Sequence, residues 1–173
     1  ENTAGLVSLD RKRRKTLKSN LTGELAFFRE LSEKIPDNSH IFLGNSLPIR
    51  EWNLAATYRD ARHTFWANRG ANGIDGNLSS FLGITADADE SWGIFGDLTT
   101  LYDLSAPWIL RELPKNKKRR IVVINNGGGR IFSRLPIIGD LPDEAKKITE
   151  NAHDIHFRAW AEMWGLEYRE DLN

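Results

Sequence analysis

The 173-residue chain contains no cysteine. Disulfide stapling, thiolate catalysis and cysteine metal sites are thereby excluded, and the absence fits a cytoplasmic setting. Net charge is missing as well: 24 Lys and Arg balance 24 Asp and Glu, so no global field draws the chain toward nucleic acid or an anionic membrane. No apolar run approaches the roughly 18 residues of a membrane-spanning helix, and the start carries no signal-peptide pattern. The one methionine is Met163, and residue 1 is glutamate. The expectation is therefore a fragment of a longer polypeptide. No P-loop, Gly-x-Ser-x-Gly motif, internal repeat or low-complexity stretch occurs.

What is present suffices for one α/β domain. Forty per cent of the residues are hydrophobic, enough for a core. Residues 1–20 are polar and carry Arg11-Lys12-Arg13-Arg14-Lys15. They read as a solvated linker from a preceding domain, with residues 21–173 forming the domain itself. Leu21, Leu25, Phe28 and Leu31 recur at helical spacing and predict a helix over 21–35, capped by Asn20 or Thr22 and ended by Pro36. Short apolar runs predict strands over 40–43, 63–67, 92–95 and 120–124. Helices are expected over 48–58, 77–86 and 99–112, the last broken or kinked at Pro107. Two more are expected over 142–149 and 155–164, and a last strand near 166–169. Strand, glycine-rich loop and helix in alternation predict a three-layer parallel sheet with helices on both faces. In such sheets ligands bind beyond the carboxyl ends of the strands, where four unusual loops should converge on one crevice.

Two of those loops carry chemistry. In Gly96-Asp97-Leu98-Thr99-Thr100 a carboxylate ends a strand as a helix begins. The helix start offers N–H groups to phosphate oxygens, and the carboxylate offers a hard oxygen to magnesium. An ordinary helix-capping Asp is the competing reading. In Asn125-Asn126-Gly127-Gly128-Gly129 an amide oxygen and a glycine carbonyl two residues on can face one cation, while a plain flexible turn is the alternative. Asp97 and Asn126 lie 29 positions apart, one strand–helix–strand unit, which sets both loops side by side. Three protein oxygens, a diphosphate and a water would complete the six-fold shell magnesium demands.

This pairing resembles the thiamine diphosphate signature of Gly-Asp-Gly followed by Asn-Asn. Here Leu98 stands where most of that superfamily has glycine. Gly-Asp-Leu with Asn125-Asn126-Gly127-Gly128-Gly129-Arg130-Ile131-Phe132-Ser133 is similar to the 2-succinyl-5-enolpyruvyl-6-hydroxy-3-cyclohexene-1-carboxylate (SEPHCHC) synthase family of menaquinone biosynthesis. The stretches Gly44-Asn45-Ser46-Leu47-Pro48-Ile49-Arg50 and Asn68-Arg69-Gly70-Ala71-Asn72-Gly73-Ile74-Asp75-Gly76 resemble it too. The resemblance implies the thiamine diphosphate-binding fold, here its C-terminal, diphosphate-binding domain. It implies that Asp97, Asn126 and the Gly128 carbonyl hold Mg2+ (or Mn2+), and that Gly96, Leu98 and Ser46 lie along the cofactor diphosphate. Gly73 and Ile74 would sit under the cofactor, Ile74 forcing its two rings into a V, and Ile131 and Phe132 would complete its surroundings. Ser46, Arg50 and Arg69 would contact the carboxylate substrates 2-oxoglutarate and isochorismate, with Ile131, Phe132 and Leu135 as an apolar wall. Ser46, Arg50, Arg69 and Ile74 are the expected catalytic set.

The family's activating glutamate comes from its N-terminal cofactor domain, generally of a partner subunit in a homodimer or homotetramer. No motif for that domain occurs here, so the chain by itself is expected to lack turnover. Two rival functions remain: an acetolactate-synthase or 2-oxoacid-decarboxylase relative, and a non-catalytic nucleotide- or phosphate-binding module. His153 and His156, three apart in an expected helix, could face one metal, but no third zinc-ligand motif accompanies them. The basic run at 115–120 reads as solvated loop. No nucleic-acid partner and no membrane span are expected.

Overall fold

The computed structural model describes residues 21–57, 62–70 and 72–170. The expected linker at 1–20 with its basic run, Tyr58 of the second helix, and Ala71 lie outside the described residues. The first helix, α1 (Gly23–Lys34), begins after Thr22, whose side chain makes no capping bond. Phe28 and Leu31 of its apolar stripe are fully buried. Ion pairs Arg29–Glu33 and Lys34–Glu30 brace its outer face at i,i+4 spacing.

There follow β1 (His40–Leu43), α2 (Leu47–Ala55), β2 (Thr64–Trp66), α3 (Asn77–Ile84), β3 (Glu90–Gly96) and α4 (Asp97–Leu101). A 3-10 helix (Ala106–Arg111) leads to β4 (Lys118–Ile124), and a second (Phe132–Arg134) leads to α5 (Pro136–Gly139), α6 (Asp143–Thr149) and α7 (Arg158–Met163). The four strands pair in parallel in the order β2-β1-β3-β4. The α/β architecture read from the sequence is thus the observed one.

Period-two alternation sorts the core into two layers. Ile41, Leu43, Trp92 and Ile94 face one way and pack with Phe28, Leu31, Trp52 and Ala55 of α1 and α2. Phe42 and Phe95 face the other way and pack with Leu78, Phe81, Leu82 and Ala106. The rings of Phe42, Phe81 and Phe95 meet at centroid distances of 5.8–6.2 Å, within the range of favourable aromatic pairs.

Strand order reverses between β1 and β3, since the chain leaves β1 for β2 on one side and returns to β3 on the other. That switch point is where a doubly wound sheet opens a crevice. Gly44 makes the opening compact: its amide donates to the Ile94 carbonyl at 2.8 Å, and a Cβ there would come within 2.9 Å of the same oxygen.

Three expectations are corrected. The helix expected over 99–112 is two short pieces, α4 and the 3-10 helix, separated by a turn at 102–105. Pro107 has no N–H to continue the ladder; the Leu104 carbonyl in the intervening turn instead accepts from the indoles of Trp160 and Trp164 at 2.8 and 3.0 Å. The helix expected from 155 starts only at Arg158. Residues before it are tied to the glycine loop, through Gly129 N–H to the Glu150 carbonyl and His153 N–H to the Gly127 carbonyl, so they do not coil. The strand expected near 166–169 does not form; those residues have no ladder partner among the described residues. Among the described residues no helix is long and apolar enough to cross a membrane.

Candidate functional site

A cavity of about 420 Å3 opens at the carboxyl edge of β1, β3 and β4. All four loops singled out in the sequence contribute to it: Ser46 and Arg50; Arg69, Gly73 and Ile74; Gly96, Asp97 and Leu98; Asn126, Gly128, Ile131 and Phe132. Leu135 is the expected site residue that is not brought in. It stands half exposed after the Phe132–Arg134 turn, outside the residues that line the cavity.

The floor is built on Asp97, which is 2% exposed. Its Oδ2 accepts from the backbone amides of Asn126 (3.1 Å), Gly127 (2.8 Å) and Gly128 (2.9 Å). Its Oδ1 accepts from the Leu98 amide at 2.6 Å. One carboxylate thus shapes the whole Asn-Asn-Gly-Gly loop. Such charge-assisted bonds are stronger than neutral ones. Gly128 answers with a backbone only glycine adopts easily: its φ is +134°, and a Cβ would meet the Glu150 carbonyl at 2.7 Å. Arg130 pairs with Glu150 at 2.7 Å, closing the loop from outside.

Asp97, Asn126 and Gly128 therefore share one cavity, as the spacing predicts. The donor set suits a hard cation. Asn126 Nδ2 donates to Glu24 Oε1 at 2.7 Å, while its Oδ1 is buried with no hydrogen-bond partner. A buried unpartnered amide oxygen is costly unless something absent here satisfies it, and magnesium accepts such an oxygen. The residues present fit a magnesium–diphosphate group.

Asn45 is a residue the sequence reading passed over. It is fully buried and ties two loops together: its Nδ2 donates to the carbonyls of Asn68 (3.0 Å) and Gly73 (2.7 Å). Its amide donates to Asn77 Oδ1 at 3.2 Å, and Asn77 Nδ2 also reaches the Gly73 carbonyl. This clamp holds Ile74, which belongs to neither core cluster and lies half-buried at the cavity. The signal in sequence was there, since Asn45 and Asn77 flank the glycine motifs. Only the fold shows that they meet.

Ser46, next in line, has φ +73° and ψ −130°, a shape L-residues rarely adopt. Strain of this kind costs about 1–3 kcal/mol and gathers at functional sites. Arg50 and Arg69 are both exposed at the rim. Arg69 Nη1 donates to Asn45 Oδ1 at 2.9 Å, and Arg50 to the Ser46 carbonyl at 2.5 Å. Each bond occupies one edge of a guanidinium with five donors.

His153, read from the sequence only as a candidate partner of His156, stands instead beside Asp97. It does not share a helix with His156; its Nε2 lies 3.4 Å from Asp97 Oδ2. Its Nδ1 accepts from the Ile155 amide at 3.2 Å, so in the neutral ring Nε2 carries the proton and faces the carboxylate. The histidine pair is therefore not a zinc site. Among the described residues no group of three His, Asp or Glu gathers to hold a metal; the candidate set of one carboxylate, one amide and one carbonyl is of another kind.

No family model matches the chain. Curated relatives do. The 2-succinyl-5-enolpyruvyl-6-hydroxy-3-cyclohexene-1-carboxylate synthase of Bdellovibrio bacteriovorus is 44% identical over 154 residues, 81% of this chain and 28% of that protein. The enzyme of the same name from Akkermansia muciniphila is 42% identical over 162 residues, 91% of this chain and 30% of its own length. That of Yersinia pseudotuberculosis is 40% identical over 147 residues, 84% of this chain and 25% of its own. The chain thus spans less than a third of the relatives it matches.

Proposed function

We propose, from the premise that this chain is homologous to a fragment of the 2-succinyl-5-enolpyruvyl-6-hydroxy-3-cyclohexene-1-carboxylate synthases, that it is the diphosphate- and magnesium-binding part of such an enzyme. The observation that carries the reading is the Asp97 floor: a buried carboxylate ordering the Asn126–Gly128 loop beside an unsatisfied amide oxygen.

In this reading Asp97, Asn126 and the Gly128 carbonyl hold Mg2+ or Mn2+. Gly96, Leu98 and Ser46 flank the diphosphate of thiamine diphosphate, with Gly73 and Ile74 beneath its rings. Bound there, thiamine diphosphate would supply a thiazolium carbon able to take up the electrons released by decarboxylation. The chain's own part is binding, orientation and exclusion of water. Ile74 would support the bound cofactor from beneath, and the proximity of reacting groups held there would contribute to rate. Arg50 and Arg69 offer free guanidinium edges to the carboxylates of 2-oxoglutarate and isochorismate. Ile131 and Phe132 dry one wall.

The complete polypeptide would decarboxylate 2-oxoglutarate and add the succinyl unit to isochorismate, a transferase step of menaquinone biosynthesis in the cytoplasm. The activating glutamate would come from an N-terminal cofactor domain of a partner subunit, in a homodimer or homotetramer. The domain boundary at residue 21 belongs to the same proposal.

Calorimetry separates the readings. The chain should bind thiamine diphosphate only with Mg2+ present, and NAD or ATP not detectably; the opposite preference overturns the proposal in favour of a nucleotide module. The complete polypeptide should consume 2-oxoglutarate with isochorismate and leave pyruvate untouched. Enzyme-like decarboxylation by the chain alone would remove the need for a second domain.

A further inference from the structure

A carboxylate from the far end of the sequence lies against the candidate metal loop. Glu24 stands in the first turn of α1, 102 positions before Asn126, and its Oε1 takes the Asn126 Nδ2 donor at 2.7 Å. Close to Glu24 stands Glu51, fully buried on α2 and paired with Arg134.

The chemistry of the contact is one-sided. An amide side chain has a donor end and an acceptor end of nearly the same shape, and it can turn over at little steric cost. An ionised carboxylate only accepts. Against Glu24, therefore, the NH2 end of Asn126 must face the carboxylate and the Oδ1 end must face away. That Oδ1 is the atom left buried without a partner. The reversed amide would set oxygen against carboxylate and present N–H groups to a cation, which repels them.

We propose that Glu24 is a positioning residue for the metal: it selects the orientation of the Asn126 amide that turns the oxygen to the cation. This inference rests on the magnesium–diphosphate reading of the site. It assigns Glu24 no contact with cofactor or substrate. Supporting groups of this kind commonly change metal affinity by 10- to 100-fold.

The test titrates Mn2+ by electron paramagnetic resonance into the complete polypeptide with thiamine diphosphate present. Glu24→Gln keeps an acceptor oxygen for Nδ2 and should stay within about threefold of the unmodified protein. Glu24→Ala leaves the amide free to turn and should weaken Mn2+ by about 10- to 100-fold. In an Asn126→Ala background, Glu24→Ala should cost nothing further, because the ligand it orients is gone. Denaturation midpoints are measured alongside. Unchanged Mn2+ affinity in Glu24→Ala, with or without lost stability, overturns the inference, as do additive losses in the double variant. If the unmodified polypeptide binds no Mn2+ with thiamine diphosphate, the parent reading fails and this inference falls with it; if it binds and the variants behave alike, only this inference falls.

Discussion

Asp97 Oδ2 lies 2.9 Å from the amide nitrogen of Gly128, a residue 31 positions further along the chain. Two neighbouring amides, those of Asn126 and Gly127, converge on the same oxygen. The contact joins the end of β3 to the end of β4 and makes one carboxylate both a loop former and a candidate metal ligand.

Those two roles separate by substitution. Asp97→Ala leaves four N–H groups, those of Leu98, Asn126, Gly127 and Gly128, without their acceptor, each worth about 1–3 kcal/mol when buried and unsatisfied, less whatever water restores. Asp97→Asn retains one oxygen and most of the shape but loses the charge. Urea denaturation should rank the stabilities as wild type, then Asn, then Ala. Mg2+-dependent cofactor binding should fall at least tenfold in both. A fully stable Asp97→Asn protein with unaltered Mg2+ dependence would contradict the metal assignment.

Gly128→Ala should fail differently. The backbone at φ +134° is strained for any L side chain, and the added Cβ would press on the Glu150 carbonyl at 2.7 Å. The loop must shift, moving the carbonyl proposed for the metal. A destabilisation of about 1–3 kcal/mol is expected, together with weakened cofactor binding. Thermal melts with and without thiamine diphosphate and Mg2+ read both effects, and ligand stabilisation equal to wild type would refute the second.

Glu51 should give the fold a pH dependence. Burial first, then the Glu24 carboxylate, push its pKa from 4.5 up to about 7, while Arg134 pulls it down. Between those two values the folded state holds the proton and the unfolded chain releases it. Stability must then decrease as pH rises from about 4.5 to about 7 and level off above. The loss is bounded at about 3 kcal/mol, from 1.36 kcal/mol per unit. Denaturant midpoints across pH 5 to 8 should slope this way in the wild type and lie flatter in Glu51→Gln. Parallel curves for the two proteins would show that another group is responsible.

Arg69→Lys tests the rim. Lysine keeps the charge but not the two-pronged edge, and it loses the geometry that reaches Asn45 Oδ1. In the complete enzyme the KM for a carboxylate substrate should rise about 10-fold or more, the cost of one good charged hydrogen bond. Affinity for thiamine diphosphate should hardly move. Equal losses in both would mean that Arg69 serves the Asn45 clamp and not the substrate.

Much of this was legible in the sequence because it is local. The run Arg120-Ile121-Val122-Val123-Ile124 has no other stable home than an inner strand, and β4 contains it. Gly44, Gly96 and Gly127 punctuate the strands at the positions where the chain must turn, so the loops could be placed before any coordinate. The less local a feature, the less of it could be read. The helix expected over 99–112 was given its break at Pro107, but the first piece already ends at Leu101 and Pro107 falls in the first turn of the 3-10 helix that follows, a boundary that composition does not mark. The helix expected from 155 started too early, because the tie from His153 to Gly127 spans 26 positions and has no periodicity. Leu135, placed in the apolar wall by the family resemblance, lies beyond a 3-10 turn and outside the cavity lining, a position that residue spacing alone does not reveal.

The sequence by itself determined the parallel α/β scaffold and the order in which its loops reach one edge, since strand periodicity and glycine placement are short-range physics. It also determined that Asp97 and Asn126 would be neighbours, because one strand–helix–strand unit separates them. Only the tertiary structure decided what those groups are bonded to. Asn45 as the clamp under Ile74, His153 against Asp97, and Glu24 behind Asn126 are contacts between residues 28, 56 and 102 positions apart. Hydrogen bonds are directional and short. Which donor meets which acceptor is settled when the two core layers close on the sheet.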